Sequence, residues 1–484
     1  MENVVTVEIM RELDRHMIWD VGIPGSVLME NAASAVAKAI LNSGRAGKVV
    51  IMIGPGNNGG DGLALLRILC TNNIDAAGLI LCDPSKYSGD AAVNYRSAVN
   101  LALPLTYDTG ELYRADVIID AIFGTGLSRP VEGKPLEAIR IANACDAYRI
   151  AVDIPSGING DTGKALGEAF SADETVTFLA LKRGLLLTNE RERVGRITVA
   201  KIGMTDTAHS AFASSEQLID EDFVRKLLPP RRSVTSKGDY GRSLIIAGSS
   251  GMPGAAVLCS KACMRTGSGL TKAFVSDDAV SSFSSVPEVM VCPDSLFDVQ
   301  ALIAWASAVG IGPGLGNDPQ KRSKLHEVLK IGKNAVIDAD GLNTLDDELK
   351  SMLGANCVLT PHPGEMARMT GKTVAEIVSD PVGIASDYSK RYGCVVLLKN
   401  AVSVIASPDS RIRYNSAGNP GLAKGGSGDV LTGIITALLA QGIDPFDAAS
   451  AGAFILGQSA EKAFELLRER MLCAGDVISA LGSL

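Results

Sequence analysis

The chain runs to 484 residues, more than one ordinary hydrophobic core fills, so two domains are expected. A formal charge of −8 argues against nucleic acid or an anionic membrane surface as a partner, and no run nears the roughly 20 apolar residues that span a bilayer. Nine irregularly spaced cysteines and a charged opening without a secretory leader core predict a soluble protein of the reducing cytoplasm.

Two helices come first, near 6–20 and 24–42, with Met10, Leu13 and Met17 as the buried stripe of the first. Apolar strand runs bounded by glycine follow: 48–54, 76–83, 116–124, 149–157, 174–181 and 196–203, with helical segments between the earlier ones. That alternation predicts a doubly wound, mostly parallel sheet with helices on both faces. The run GPGNNGGDG (54–62) reads as a Gly-rich strand-to-helix turn, but it matches neither GxGxxG nor a P-loop. By the strand-end rule Asn57, Asn58 and Asp61 should meet Asp120, the GTGLSRP loop (124–130), Asp153 and Ser156 over one crevice. Asn58, Asp120 and Ser156 would offer an amide oxygen, a carboxylate and a hydroxyl or carbonyl oxygen, a low-charge set suited to a monovalent cation.

After Gly203 small polar residues, a Pro-Pro pair and basic residues read as a linker, and the domains are placed at 1–215 and 216–484. A second α/β series then begins with runs at 243–249, 270–276, 308–314, 334–341, 357–364 and 394–407. Cys259 and Cys263 lie four apart on a helix, yet no further ligand completes a metal site, so they read as buried small residues. The most informative stretch is GNPGLAKGGSGD (418–429), running into the apolar helix VLTGIITALLAQ. Its glycines and free N–H groups form an anion cradle, and Asp429 stands at the helix mouth. A carboxylate repels bound phosphate, so it belongs there as a base for a hydroxyl attacking that phosphate.

GPGNNGGDG, DAIFGTGL and VDIPSGINGDTG resemble the epimerase domain of NAD(P)H-hydrate repair enzymes, a Rossmann-like fold that interconverts the R and S hydrates. The resemblance implies that Asn57, Asn58, Gly59, Gly60, Asp61, Gly124, Thr125, Gly126, Leu127, Ser128, Arg129 and Pro130 hold the hydrated dinucleotide. It also implies that Asp153 contacts that dinucleotide, and that Asn58, Asp120 and Ser156 ligate potassium. Asp153 is the candidate acid/base; Lys182 is a weaker one and reads more simply as a surface lysine. KGDYG (237–241), GIGPGLG (310–316), DADGLNTL (338–345), TPHPGEMARMTG (360–371) and GNPGLAKGGSGDVLTG (418–433) are similar to the ADP-dependent hydrate dehydratase of ribokinase-like fold. That likeness implies Asp429 as base, and Ala255, Gly314 and His362 as contacts of the hydrated coenzyme. Lys399, Asn400, Ala401, Val402, Ser403, Asn419, Gly425, Gly426, Ser427 and Gly428 would hold the adenylate, with Mg²⁺ arriving on ADP. Asn400, Ser403 and Ser427 stand where Gly, Thr and Thr are commoner, and Ser236 where His is common. Asp338 and Asp340 are site neighbours or turn residues. The order of the two domains resembles the bifunctional repair enzyme, and a homo-oligomer is expected. The rivals are a vitamin-precursor kinase of the same fold, which has no use for an epimerase domain ahead of it, and a vestigial binding module in the first half.

Overall fold

In the computed structural model every residue is described except 46, 206–213, 229, 317, 468 and 484. Residues 206–213 and 229 of the expected linker therefore lie outside the described residues. The chain divides into two compact units, Glu2–Ser214 and Ser215–Leu484, the latter with Met1.

The first unit carries a seven-stranded sheet whose strands are all paired parallel. They run in the order Leu105–Thr106, Ala76–Ile80, Val49–Ile53, Val117–Ala121, Tyr148–Val152, Glu174–Phe178, Arg196–Ala200. Alternation within one strand explains both layers. Ile51 and Ile53 face a core made with the helices Val7–Trp19, Gly25–Asn42, Asn57–Thr71 and Gly89–Asn100. Val50 and Met52 face a second core built on the helix Lys134–Ala144. The first helix starts where the Thr6 hydroxyl accepts from the Ile9 N–H at 3.2 Å, and it buries Met10, Leu13 and Met17 as its spacing predicts.

One local expectation changes. Asn57 to Asp61 do not form a turn before a helix; the helix Asn57–Thr71 already contains them. Glycine permits this, because a Cβ on Gly59 would stand 1.9 Å from the Gly54 carbonyl oxygen, so only a bare Cα lets the helix start so close to the strand end. Strand order reverses between Val49–Ile53 and Val117–Ala121, which opens a crevice beyond their carboxyl ends.

Within the second unit the strands run Met290–Pro293, Leu270–Val275, Arg242–Ile246, Ala308–Ile311, Asn334–Ile337, Cys357–Leu359, Val395–Leu398, Ser403–Ala406, Ile412–Asn415, Glu216–Leu218. The first seven are paired parallel. The run at 394–407 is not one strand but an antiparallel pair, bent at Lys399 to Val402. Inside the expected linker lie the strand Glu216–Leu218 and the helix Glu221–Leu227.

The helix Ser427–Ala440 packs on Pro253–Arg265 with Gly433 against the Cys259 carbonyl, and among the described residues no helix is long and apolar enough to cross a membrane. A Cβ at Gly433 would lie 2.1 Å from the Cys259 oxygen. Gly433→Val should therefore destabilise the second unit by about 3 kcal/mol, the upper range of overpacking. Gly475→Ala, where a Cβ meets nothing within 4 Å on a helix, should leave stability unchanged or raised. Differential scanning calorimetry of the two variants checks the contrast.

Candidate active sites

The first unit's crevice is a cavity of about 580 Å³. Asn57, Asn58 and Asp61 line it from the helix start, Gly124 to Arg129 from the loop after the third long strand, and Asp153 and Lys182 from the far side. Gly59, Gly60 and Pro130 are not on its wall; Gly59 and Gly60 serve helix packing, against Gly54 and Met29. Gly124 approaches the polar wall closely, since a Cβ there would sit 3.2 Å from Asp153 Oδ2 and 3.6 Å from Asn58 Cγ.

Asp153 follows its strand with φ +69°, a left-handed backbone that non-glycine residues adopt only when surroundings enforce it. Lys182 Nζ lies 2.7 Å from Asp153 Oδ1. Lys182 Nζ also donates to Thr177 Oγ1 at 2.9 Å and to the Phe178 carbonyl at 2.7 Å, so its three N–H bonds are all spent. The side chain is 1% exposed, which corrects the reading of Lys182 as a surface lysine. The buried strand Leu181–Lys182 carries it inward, and the sequence signal was a lysine closing the apolar run LAL. Asp14, from the first helix, lines the same cavity and was not singled out by its sequence setting. Burial, then the negative charges of Asp153 and Asp14, hold the Asp61 carboxyl well above the usual range.

Behind this wall lies Asp120, fully buried. Its Oδ1 accepts from the Ser156 hydroxyl at 2.7 Å and the Ile122 N–H at 3.2 Å, and its Oδ2 from the Ser156 N–H at 2.7 Å. Burial still outweighs those bonds and pushes its pKa up to about 6. Asn58 Nδ2 is buried with no hydrogen-bond partner among the described residues.

In the second unit the cradle is built as a helix mouth. Gly426, at φ +95°, turns the chain into the helix Ser427–Ala440, and Asp429 is its third residue. Desolvation, then the charge of Asp338, raises the Asp429 carboxyl to about 6, while Lys399 opposes the rise. Asp338 is 2% exposed; it accepts from Lys399 Nζ at 2.8 Å on Oδ1 and from the Thr432 hydroxyl at 3.0 Å on Oδ2. Asp340 instead opens the short helix Asp340–Asn343 and accepts from the Gly316 N–H at 2.7 Å, which ties the 310–316 segment to it.

His362 caps the helix Pro363–Thr370: its Nδ1 accepts from the Gly364 and Glu365 N–H groups, so Nε2 carries the proton. The Nε2 edge stands 3.6 Å from Glu365 Oε2, on a side chain 53% exposed and open to a ligand. Gly314 and Ala255 pack together, a Cβ on the first lying 2.8 Å from the second's. Asn419 has partners within the fold, accepting from the Gly421 N–H and donating to the Ala460 carbonyl. Asn400 likewise accepts from the Ala401 N–H at 2.9 Å, and the Ser403 hydroxyl reaches the Asn400 carbonyl at 3.5 Å. Thr432 and Glu365 were missed by sequence reading, although Thr432 sits three residues from Asp429 on one helix face and His362 and Glu365 have capping-box spacing.

A parallel α/β unit with a strand-end crevice, followed by an α/β unit whose helix mouth cradles anions beside a carboxylate, defines a two-domain nucleotide-handling enzyme. The family model described as NAD(P)H-hydrate dehydratase matches residues 243–475, and the one described as YjeF-related protein N-terminus matches 25–184. The chain is 36% identical to a bifunctional NAD(P)H-hydrate repair enzyme of Moorella thermoacetica over 99% of its own length and 96% of that protein's. It is 35% identical to the one of Coxiella burnetii over 98% and 97%. A ribokinase-like superfamily protein of Enterococcus faecalis, 23% identical, superposes with a TM-score of 0.51, covering 56% of this chain and 95% of that one. The chain belongs to the family of bifunctional NAD(P)H-hydrate repair enzymes.

Removing one partner of a buried ion pair strands the other. Lys182→Met should cost about 3 kcal/mol of stability, and adding Asp153→Asn should restore part of it. Calorimetric unfolding of the single and double variants tests this; an unchanged single variant contradicts the pairing.

Proposed function

We propose that the protein repairs hydrated NADH and NADPH, the first unit epimerising the R and S hydrates and the second dehydrating the S form at the expense of ADP. The observation that carries the second activity is Asp429, a carboxylate at the mouth of a glycine-cradled helix start. In this reading Asp429 takes the proton of the C6 hydroxyl as its oxygen attacks the β-phosphorus of ADP. The new O–P bond forms while the bridging P–O bond breaks, its electron pair leaving on AMP. The C6–O bond then breaks with its pair on inorganic phosphate, N1 supplies electron density, and loss of the C5 proton restores the C5–C6 double bond. The balance is hydrate plus ADP to NAD(P)H, AMP, phosphate and a proton. Gly425, Gly426 and Gly428 offer unblocked backbone to the transferring group, and Mg²⁺ enters as part of the nucleotide substrate, screening phosphate charge. His362, Ala255 and Gly314 hold the hydrated coenzyme, and Lys399 to Ser403 with Asn419 and Ser427 hold ADP.

In the first unit Asp153, 2.7 Å from Lys182 Nζ, acts as acid/base at the epimer centre, with Asn57, Asn58, Asp61 and the Gly124–Pro130 loop around the dinucleotide. The donor set Asn58, Asp120 and Ser156 fits potassium. A fully buried carboxylate with no cationic side chain on it among the described residues suits a weakly hydrated monovalent ion, to which Asn58 would offer its amide oxygen. Bound there, the ion supplies charge balance that orders the crevice wall. The nine cysteines are free thiols, which suits a reducing compartment, so we place the enzyme in the cytoplasm as a homo-oligomer.

Incubating the full chain with both epimers of hydrated NADH and ADP should recover all the nicotinamide absorbance with one AMP per NADH. No recovery sinks the reading, and recovery of half leaves only the dehydratase. Asp429→Asn should lower dehydration by at least about 10²-fold and spare epimerisation, and Asp153→Asn the reverse. Because the base works deprotonated, kcat/KM for dehydration should fall as pH drops through about 6 and level off above it. A flat profile between pH 5 and 8 would count against Asp429 as base, the pH range being set by that value of about 6.

A further inference from the structure

Asp153 and Asp338 are each held by a lysine, and the two lysines differ in one respect. Lys182 is enclosed and its three N–H bonds are used. Lys399 is not saturated. Its ammonium makes one hydrogen bond among the described residues, to Asp338 Oδ1 at 2.8 Å; Glu365 Oε2 stands at 4.0 Å, and the side chain is 23% exposed. The lysine backbone is pinned, its N–H donating to the Pro361 carbonyl at 2.8 Å, so the ammonium is presented from a fixed root.

Its place relative to the cradle is given by Gly428, the second residue of the helix Ser427–Ala440. A Cβ built on Gly428 would lie 3.5 Å from Lys399 Nζ and 3.4 Å from Asp338 Oδ2. The ammonium therefore stands over the first turn of the helix, where backbone N–H groups have no intrahelical partner and an anion would rest. Asp429 is the next residue, so base, cradle and ammonium converge on one point.

We propose that Lys399 is a catalytic residue of phosphoryl transfer, its ammonium meeting the β-phosphate of ADP rather than the adenylate half, with Asp338 and Glu365 as the positioning residues that aim it. The proposal rests on the ADP-dependent dehydration argued above. As the C6 oxygen bonds to the β-phosphorus and the bridging bond gives its electron pair to AMP, negative charge spreads over the moving group, and the free N–H bonds of Lys399 face it. Asp338 holds the ammonium in place without neutralising all its donors, and the Thr432 hydroxyl holds Asp338. A residue serving the adenylate half would contact AMP and ADP alike; one serving the β-phosphate separates them.

The test compares AMP and ADP binding to full-length Lys399→Met by calorimetry without hydrate, then measures dehydration. The expected result is unchanged AMP affinity, weakened ADP affinity and a kcat lowered by about 10²-fold or more, with KM for the hydrate unmoved. Lys399→Arg should recover part of the rate, because it returns a cation to the same place. Equal weakening of AMP and ADP with kcat intact would overturn the proposal, as would no change in either. If Lys399→Met does not fold, Lys399→Met with Asp338→Asn removes both charges and carries the same AMP-against-ADP comparison. Failure of the wild-type chain to regenerate NADH with ADP would remove the dehydratase reading instead, a result separate from where the ammonium lies.

Discussion

A parallel sheet covered on both faces has only its strand ends on which to carry charge, and in each unit a carboxylate just past a strand end is paired with a lysine from elsewhere in the same unit. Asp153 after Tyr148–Val152 meets Lys182 at 2.7 Å; Asp338 after Asn334–Ile337 meets Lys399 at 2.8 Å. An unpaired buried carboxylate costs several kcal/mol, so neither crevice could keep its polar floor without its lysine. The two units thus solve one electrostatic problem in the same way on different folds.

Other carboxylates of the candidate sites stand without a lysine on them among the described residues. Asp120 and Asp429 have no ion-pair partner among the described residues, and burial raises both to about 6. For Asp120 the proposed remedy is an external cation held with Asn58 and Ser156. In the proposed dehydration the imbalance at Asp429 is useful, because a base near neutrality accepts a proton readily and gives it up between turnovers. Lys399, close enough to Asp429 to oppose its rise, sets how far that imbalance goes.

Periodicity made much of this fold legible. The strand cores, the buried helix behind the glycine cradle and the stripe of Met10, Leu13 and Met17 all follow from spacing that each segment carries by itself. What sequence did not disclose depends on pairing across distance. Lys182 looked exposed because nothing in ALKRG tells that Leu181–Lys182 is a buried strand. The union of Asp338 with Lys399 spans 61 residues of chain and left Asp338 indistinguishable from a turn residue. Asn57 to Asp61 looked like a loop because glycines argue against a helix, yet here their missing side chains let the helix approach its strand. The bend at Lys399 was hidden inside one apolar run.

The central claim is that the errant oxygen leaves the nicotinamide ring as phosphate and not as water. Hydrate labelled with oxygen-18 at the C6 hydroxyl, turned over with unlabelled ADP, decides it by mass spectrometry of the inorganic phosphate. One labelled oxygen in the phosphate for each NADH formed is the predicted result. Label appearing in solvent water, with unlabelled phosphate, would contradict the account.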